Sequence, residues 1–230
     1  VTGSDDCDVK VWGKKGGKWC CLATLMGHKN RVDCVLGLDD GRVVSGSADC
    51  SLKVWRETEG DWYCDATIEG HQNWTRCITA MPNNHMVCGL SDNLLMIWDV
   101  LTDKWSFKLK LIGHQGSVRS VVELKSGHLM SCSADESIKV WAQTESGWEC
   151  IETIKGHEGP IWELLALDDG RVASCSSDKS IKIWSRHKNK WNCDETLKGH
   201  ENYVRNILQL NDNRIAVSYT HLTLPTMMSV

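Results

Sequence analysis

Short segments of alternating apolar and polar residues, separated by polar turns, recur along most of the chain. In residues 27–69 four such segments follow one another, with turn-forming runs such as Asp39-Asp40-Gly41 between them. Short alternating segments with regular turns predict strands, and so an all-β chain. The predicted strands are 32–38, 42–47, 52–55 and 62–68, with a polar hairpin loop over 57–61.

The same pattern returns with a period of 43 residues, carried by four series of residues. The Gly-His dipeptide stands at positions 27–28, 70–71, 113–114, 156–157 and 199–200. Asp follows the same spacing from Asp6, and two series of Trp follow it from Trp12 and from Trp19. Ten of the 12 Trp belong to these two series, so the scaffold itself demands this residue. A period of this length with Gly-His and Trp-Asp marks is typical of β-propeller repeats.

On these repeats the chain resembles the WD40-repeat family over residues 1 to about 216, although the Trp-Asp dipeptide itself stands only at Trp98-Asp99. The resemblance implies an all-β WD40 β-propeller, in which each repeat forms a four-stranded blade with its first strand at the central channel. We expect an arc of about five such blades from a seven-bladed parent. The alternative geometry is closure into five blades, with residues 1–16 completing the last one.

The repeats predict the domain boundaries. A partial blade covers 1–26, full repeats cover 27–69, 70–112, 113–155 and 156–198, and a partial repeat covers 199–216. The pattern then stops, because His221 stands where Asp is due and Met227 where Trp is due. Residues 217–230 resemble a translated sequencing adapter and are predicted to be a non-native tail, with a genuine divergent tail as the alternative. Since the first residue is Val1 as well, the chain is expected to be a fragment.

Composition narrows the function classes. Lys and Arg number 26 against 30 Asp and Glu, a net charge of −4 that gives no footprint for nucleic acid. No apolar run is long enough to span a membrane. The 12 Cys follow the repeat and include no Cys-x-x-Cys pair, so we expect small buried apolar residues rather than disulfides or zinc ligands. Intracellular localisation, in the cytoplasm or the nucleus, is the corresponding expectation.

Within each repeat His, Asp and Trp keep fixed offsets, and the resemblance implies that they form a buried hydrogen-bonded network with a Ser. The chemistry fits, because imidazole and hydroxyl can each donate and accept, carboxylate accepts and indole N–H donates. The Ser is one of Ser45 or Ser47, Ser131 or Ser133, and Ser174 or Ser176. The network residues are His28, Asp49, Trp55, His71, Asp92, Trp98, His114, Asp135, Trp141, His157, Asp178 and Trp184.

The second full repeat departs from this pattern, because Cys88 and Leu90 stand at its two hydroxyl positions. Its network is therefore predicted to be the weakest. A catalytic triad reading of Ser, His and Asp is disfavoured, since the set recurs in every repeat while an active site occurs once. No catalytic, cofactor-binding or metal-binding residue is predicted, and the chain is not expected to be an enzyme.

Residues that vary between repeats on the face of the Gly-His loops are the candidates for binding a partner. Trp74 and Trp162 are the two Trp outside the scaffold series, and Trp is a common interface anchor. Arg76, Arg119 and Arg205 form an incomplete ring near the channel. Packing against neighbouring loops, and salt bridges to Glu158 or Glu163, are the structural alternatives. The full candidate set is Arg31, Trp74, Arg76, Arg119, Trp162, Tyr203 and Arg205.

The leading hypothesis is a non-catalytic scaffold that docks a protein or peptide on the Gly-His loop face. One alternative is a phosphopeptide-reading substrate receptor of a ubiquitin ligase, because F-box/WD propellers place phosphate-reading arginines at this offset and guanidinium pairs bidentately with phosphate. Another is a regulatory propeller fused to an enzyme domain. Neither nucleic acid nor a membrane is an expected partner.

Overall fold

The computed structural model describes residues 1–82, 84–101, 104–211 and 214–218. All strands in these ranges lie in antiparallel sheets, and the ranges contain no helix. Accordingly, no helix that could cross a membrane is found in the described part of the chain.

Six sheets follow one another along the chain, and we call them blades 1 to 6. Blade 1 consists of Thr2–Gly3, Val9–Lys15 and Lys18–Leu25. Blade 2 consists of Val32–Gly37, Val43–Ser47, Leu52–Thr58 and Asp61–Ile68. Blade 3 consists of Thr75–Met81, His85–Leu90, Leu95–Leu101 and Lys104–Leu111. Blade 4 consists of Val118–Glu123, Leu129–Ser133, Ser137–Thr144 and Gly147–Lys155. Blade 5 consists of Ile161–Ala166, Val172–Ser176, Ile181–His187 and Lys190–Leu197. Blade 6 consists of Asn206–Gln209 and Ile215–Ser218.

The blades are arranged as in a propeller. Each four-stranded blade is an antiparallel meander in chain order, and its first strand contacts the first strands of the neighbouring blades. The first strands therefore lie at the centre of the arc and the fourth strands at its outer edge. The predicted all-β propeller arc is confirmed. Closure into five blades is wrong, because Val9–Lys15 pairs within blade 1 and the described sheets form an open arc.

The hydrophobic core lies between blades rather than inside one of them. Leu52 and Val54 of blade 2 pack with Met96 and Trp98 of blade 3 in a single buried cluster. A second cluster joins blade 4 to blade 5 in the same way. A single blade is one sheet thick, so it can bury its apolar faces only against its neighbours.

The hairpin between the third and fourth strands is tighter than the sequence predicts. The third strand of blade 2 runs on to Thr58, and a two-residue turn at Glu59 and Gly60 replaces the predicted loop over 57–61. Both turn residues have positive φ, 56° and 93°. Two such residues give a turn whose twist matches the right-handed twist of the strands, so the strands can pair up to its edge.

The prediction that the cysteines are buried is wrong for one register. Cys21, Cys64, Cys150 and Cys193 are exposed on the fourth strands, because these strands are the outer edges of their blades. All 12 cysteines are free. Of the predicted tail, Val217 and Ser218 end the second strand of blade 6, and residues 219–230 lie outside the described residues.

Candidate functional site: the loop face

Two kinds of segment form one face of the arc. The Gly-His loops join the fourth strand of one blade to the first strand of the next, and tight turns join the second and third strands. The two meet directly, since the Lys29 backbone N–H donates to Asp49 Oδ2 over 2.8 Å. We call this surface the loop face.

Under the loop face of blade 2, a chain of hydrogen bonds connects the core to the surface. Trp55 Nε1 donates to Ser45 Oγ over 2.8 Å, and His28 Nε2 lies 2.7 Å from the same oxygen. His28 Nδ1 lies 2.8 Å from Asp49 Oδ2. The indole can only donate, so the Ser45 hydroxyl directs its hydrogen at His28 Nε2, and Nδ1–H donates to the carboxylate. Every donor and acceptor in this series of hydrogen bonds is therefore paired when the imidazole is neutral.

Blades 4 and 5 repeat this network with Ser131 and Ser174 in the bridging position. Of the two candidate serines in each repeat, it is the first that bridges. The second has another role: Ser47 Oγ accepts from the Asp49 N–H and donates to the Asn30 carbonyl, which holds the turn against the loop.

One member of the network is not among the residues predicted from the sequence. Ser51 Oγ donates to Asp49 Oδ1 over 2.7 Å and lies 3.3 Å from His28 Nδ1. Ser137 and Ser180 do the same in blades 4 and 5. These serines are 43 residues apart or a multiple of it, so the period could have revealed them.

Burial and hydrogen bonding together determine the protonation states of the aspartates and histidines in these networks. Burial raises the pKa of Asp49, but hydrogen bonds from Ser51, the Lys29 backbone and His28 outweigh it and lower that pKa to about 2. Asp135 and Asp178 have pKa values lowered to about 2 by the same balance. Burial lowers the pKa of His28 because it disfavours the imidazolium, and Asp49 offsets only part of this effect.

Blade 3 has no such network. Its positions equivalent to Ser45 and Ser51 hold Cys88 and Leu94. Both ring nitrogens of His71 and Trp98 Nε1 are buried without a hydrogen-bond partner in the described residues, and the two rings stack at 5.2 Å instead. Burial lowers the pKa of His71 to about 4, with Asp92 opposing it weakly.

The Ser-His-Asp sets are placed for support rather than for chemistry. Ser45, Ser131 and Ser174 are fully buried, and each oxygen is already held by an indole and an imidazole. A substrate cannot reach these hydroxyls without opening the blade. The described residues also contain no group of three or more His, Cys, Asp or Glu side chains that could hold a metal ion.

Trp74 stands on the loop face between two arginines. The guanidinium carbons of Arg31 and Arg76 lie 5.1 Å and 4.8 Å from the centre of its ring, within cation–π range. Asp33 binds both arginines, with 3.0 Å to Arg31 Nε and 3.2 Å to Arg76 Nη1. Trp74 remains 40% exposed, so a partner can reach its indole.

Trp162 occupies the equivalent setting on blade 5, at the same register as Arg119 on blade 4 and Arg205 on blade 6. The two guanidinium carbons lie 4.5 Å and 4.4 Å from its ring centre. Trp162 Nε1 donates to Ser177 Oγ over 2.7 Å. With its ring stacked and its N–H engaged, Trp162 is half-buried and serves mainly to orient the two arginines.

Neither arginine beside Trp162 has the salt bridges that the sequence left open. In the part of the chain that is described, no carboxylate lies within 4.0 Å of the side-chain nitrogens of Arg119 or Arg205. Glu163 instead accepts the Ile207 N–H over 2.6 Å, and burial raises its pKa. Burial lowers the pKa of Arg119, and the positive charges of Arg76 and Arg205 lower it further.

The last candidate, Tyr203, is 44% exposed on the loop that leads into blade 6. The structure therefore brings six of the seven candidates into two Arg–Trp groups. The aspartate that bridges the first group, Asp33, and the serine that anchors the second, Ser177, were not among the candidates, although Asp33 shares the register of Arg76, Arg119, Trp162 and Arg205.

Comparison with known proteins identifies one family and many solved structures of similar fold. The model of the family described as "WD domain, G-beta repeat" matches residues 19–56, 62–99, 105–142 and 148–185. Among solved structures, the WD40 β-propeller domain of Doa1 is similar with a TM-score of 0.75 and 24% identity, over 94% of this chain and 69% of that one. No curated protein matches the chain. At this identity the structural likeness shows the fold.

Proposed function

Because the chain belongs to the WD40 (G-beta repeat) family, whose propellers are interaction scaffolds, we propose that it is a non-catalytic scaffold that docks a protein or peptide on the loop face. The observation that carries the proposal is the exposed indole of Trp74 between Arg31 and Arg76. Trp and Arg are the residue types that most often dominate binding at protein interfaces. The buried networks of blades 2, 4 and 5 hold the loops of those blades from below, which reduces the ordering needed there on binding.

The proposal is tested by capturing partners from a cell extract with this chain and with two alanine variants. Trp74→Ala removes the exposed indole on the loop face, whereas Phe107→Ala removes an equally exposed ring, 48%, on the outer strand of blade 3. A buried anchor contributes about 2 kcal/mol or more to binding, so Trp74→Ala should weaken capture at least about tenfold. Phe107→Ala should leave it unchanged. Equal capture by both variants would contradict docking on the loop face.

A second candidate function is the recognition of phosphorylated peptides. It is favoured by one observation, that Arg119 and Arg205 stand at the channel mouth with no carboxylate within salt-bridge distance among the described residues. Guanidinium forks bind phosphate bidentately. Comparing a captured peptide with its phosphorylated form tests the candidate, and equal affinities would rule it out. A ubiquitin ligase role would further require an F-box encoded in the same gene, which the complete open reading frame would reveal.

A further inference from the structure

The two Arg–Trp groups of the loop face differ in their charge balance. In the first group, Asp33 is shared by Arg31 and Arg76, with one carboxylate oxygen on each. The three charges sum to about +1. Arg31 Nε and Arg76 Nη1 each lie within salt-bridge distance of the Asp33 carboxylate. What this group offers a partner is therefore mainly the exposed surface of Trp74.

The second group has no such counter-charge. Arg119 and Arg205 face each other across Trp162, and no acidic side chain of the described residues bridges them. The buried Nε atoms of Arg119 and Arg205 have no hydrogen-bond partner among the described residues, as is also the case for the two arginines of the first group, so the difference between the groups is the Asp33 carboxylate. Because the Nε atoms are buried, the Nη atoms are the ones that can reach an anion from solvent. Because Trp162 is anchored on Ser177, the two forks are held in place before any anion arrives.

Like charges held close together repel each other, and an anion that binds between them removes this repulsion. Arg76 lies near enough to Arg119 to add to the same positive field, and Asp33 opposes that field at Arg119 more weakly than either neighbouring arginine adds to it. The positive potential of the loop face is thus strongest on the side of blades 4 to 6. On the side of blades 2 and 3, Asp33 reduces it.

From this asymmetry we infer that the loop face binds a peptide segment in one fixed direction. The segment places an oxyanion side chain, carboxylate or phosphorylated, against Arg119 and Arg205, and an uncharged or apolar side chain against Trp74. This inference rests on the proposed docking function. It adds the chemistry of the partner and the direction in which the partner binds.

The test uses a display library of random short peptides, selected on the immobilised chain and then measured against two matched double variants. Arg119→Gln with Arg205→Gln, and Arg31→Gln with Arg76→Gln, each remove two positive charges from the same face. Losing hydrogen bonds to a charged group should cost the selected acidic peptides about tenfold in affinity with the first pair. The second pair should change their affinity about twofold or less, because Arg31 and Arg76 do not contact the acidic side chain in this arrangement and solvent screening weakens their longer-range effect on it.

A lysine pair, Arg119→Lys with Arg205→Lys, separates charge from geometry. It keeps the positive charge but not the bidentate fork, so it should still weaken binding by several-fold. Peptides synthesised with glutamate or phosphoserine at the acidic position then identify the preferred oxyanion. Thermal unfolding of every variant shows that each is folded at the assay temperature.

The outcomes separate this inference from the proposed function. If selected peptides bind Trp74→Ala and both glutamine pairs as well as the unaltered chain, docking on the loop face fails, and if they lose affinity with a glutamine pair but not with Trp74→Ala, the fixed direction fails. If the peptides need Trp74 but carry no acidic residue, or if both glutamine pairs weaken their binding equally, only the fixed direction of binding fails. Loss of affinity with Trp74→Ala and, of the two pairs, with the Arg119 and Arg205 pair alone supports the fixed direction.

Discussion

At the scale of single residues, the serine hydroxyl in the middle of blades 2, 4 and 5 performs two tasks. It accepts from an indole N–H and donates to an imidazole, so both buried groups are satisfied by one oxygen. In blade 3 the thiol of Cys88 takes this place, and burial raises its pKa to about 12, so it stays protonated. A thiol is a much weaker donor and acceptor than a hydroxyl, and the imidazole of His71 turns to stack on Trp98.

Cys88→Ser is accordingly expected to stabilise the protein. The new hydroxyl would accept from Trp98 and donate to His71, and hydrogen bonds to buried groups contribute about 1 kcal/mol each. The free energy of unfolding, measured with urea, should rise by about 1–2 kcal/mol. Cys132→Ser is the control, because Cys132 is equally buried but its sulfur lies against backbone groups, the Ile161 carbonyl at 3.7 Å and the Ser120 backbone. A gain of the same size in the control would show that the network is not the cause.

The histidines also predict how stability depends on pH. The folded-state pKa of His71 is about 4 against 6.5 for a free imidazole. A lowered histidine pKa means that the folded state resists protonation. The free energy of unfolding is therefore undiminished by this residue above about pH 6.5 and decreases as the pH drops toward 4. Between pH 7 and pH 5, protonation of His71 alone should lower the free energy of unfolding by about 2 kcal/mol.

His71→Phe removes that contribution while keeping a ring on Trp98. The difference in unfolding free energy between pH 7 and pH 5 should be smaller in the variant by about 2 kcal/mol. Asp49, Asp135 and Asp178 act at lower pH, because their folded pKa values of about 2 lie below the ordinary 3.8. Their stabilisation is present above about pH 4 and is lost between pH 4 and pH 2. An unchanged pH dependence in His71→Phe would contradict the assignment.

At the scale of elements, the Gly-His loops of blades 2, 4 and 5 are each held by the tight turn of the same blade. The anchoring bond is donated by the backbone N–H that follows the histidine, at Lys29, Gln115 and Glu158, to the turn aspartate. Blade 3 lacks the equivalent bond from Gln72, and Asn73 Nδ2 contacts Asp92 Oδ2 over 3.2 Å instead. The loop that carries Trp74 is therefore held to its turn by a different set of bonds, in which the Trp74 N–H donates to Ser91 Oγ over 3.1 Å.

Hydrogen exchange should report this difference directly. The Gln72 amide is expected to exchange at least about tenfold faster than the amides of Lys29, Gln115 and Glu158, since it lacks the bond that protects them. NMR or mass spectrometry can measure all four in one sample, so the three anchored loops are internal controls. Equal protection at Gln72 would mean that the loop is anchored in some other way.

At the scale of the whole molecule, stability and recognition depend on contacts between blades. The core clusters join successive blades, and both Arg–Trp groups are assembled from more than one blade. The chain has a net charge of −4, yet the loop face gathers four of its arginines. A local positive surface on an acidic protein can select an acidic partner, because the overall charge does not describe the field at the site.

The sequence predicts the scaffold better than the site, and particular residues show why. Trp55 and His28 recur with a fixed period because every blade needs them, so the period reveals them without a structure. Arg119 and Trp162 share one register in successive repeats, and the sequence shows only that the residue type at this register varies. That they stack on one another depends on the spacing between blades, which no pattern within a repeat records.

The sequence by itself determined the all-β fold, the four strands of each repeat and the blade whose network is incomplete. These features follow from local alternation and from the 43-residue period, which act within one repeat. The tertiary structure decided which serine bridges, which cysteines are exposed, that the described sheets form an open arc, and that Asp33 neutralises one Arg–Trp group and leaves the other charged. Those outcomes depend on distances between side chains of different strands and blades, and such distances arise only when the blades pack together.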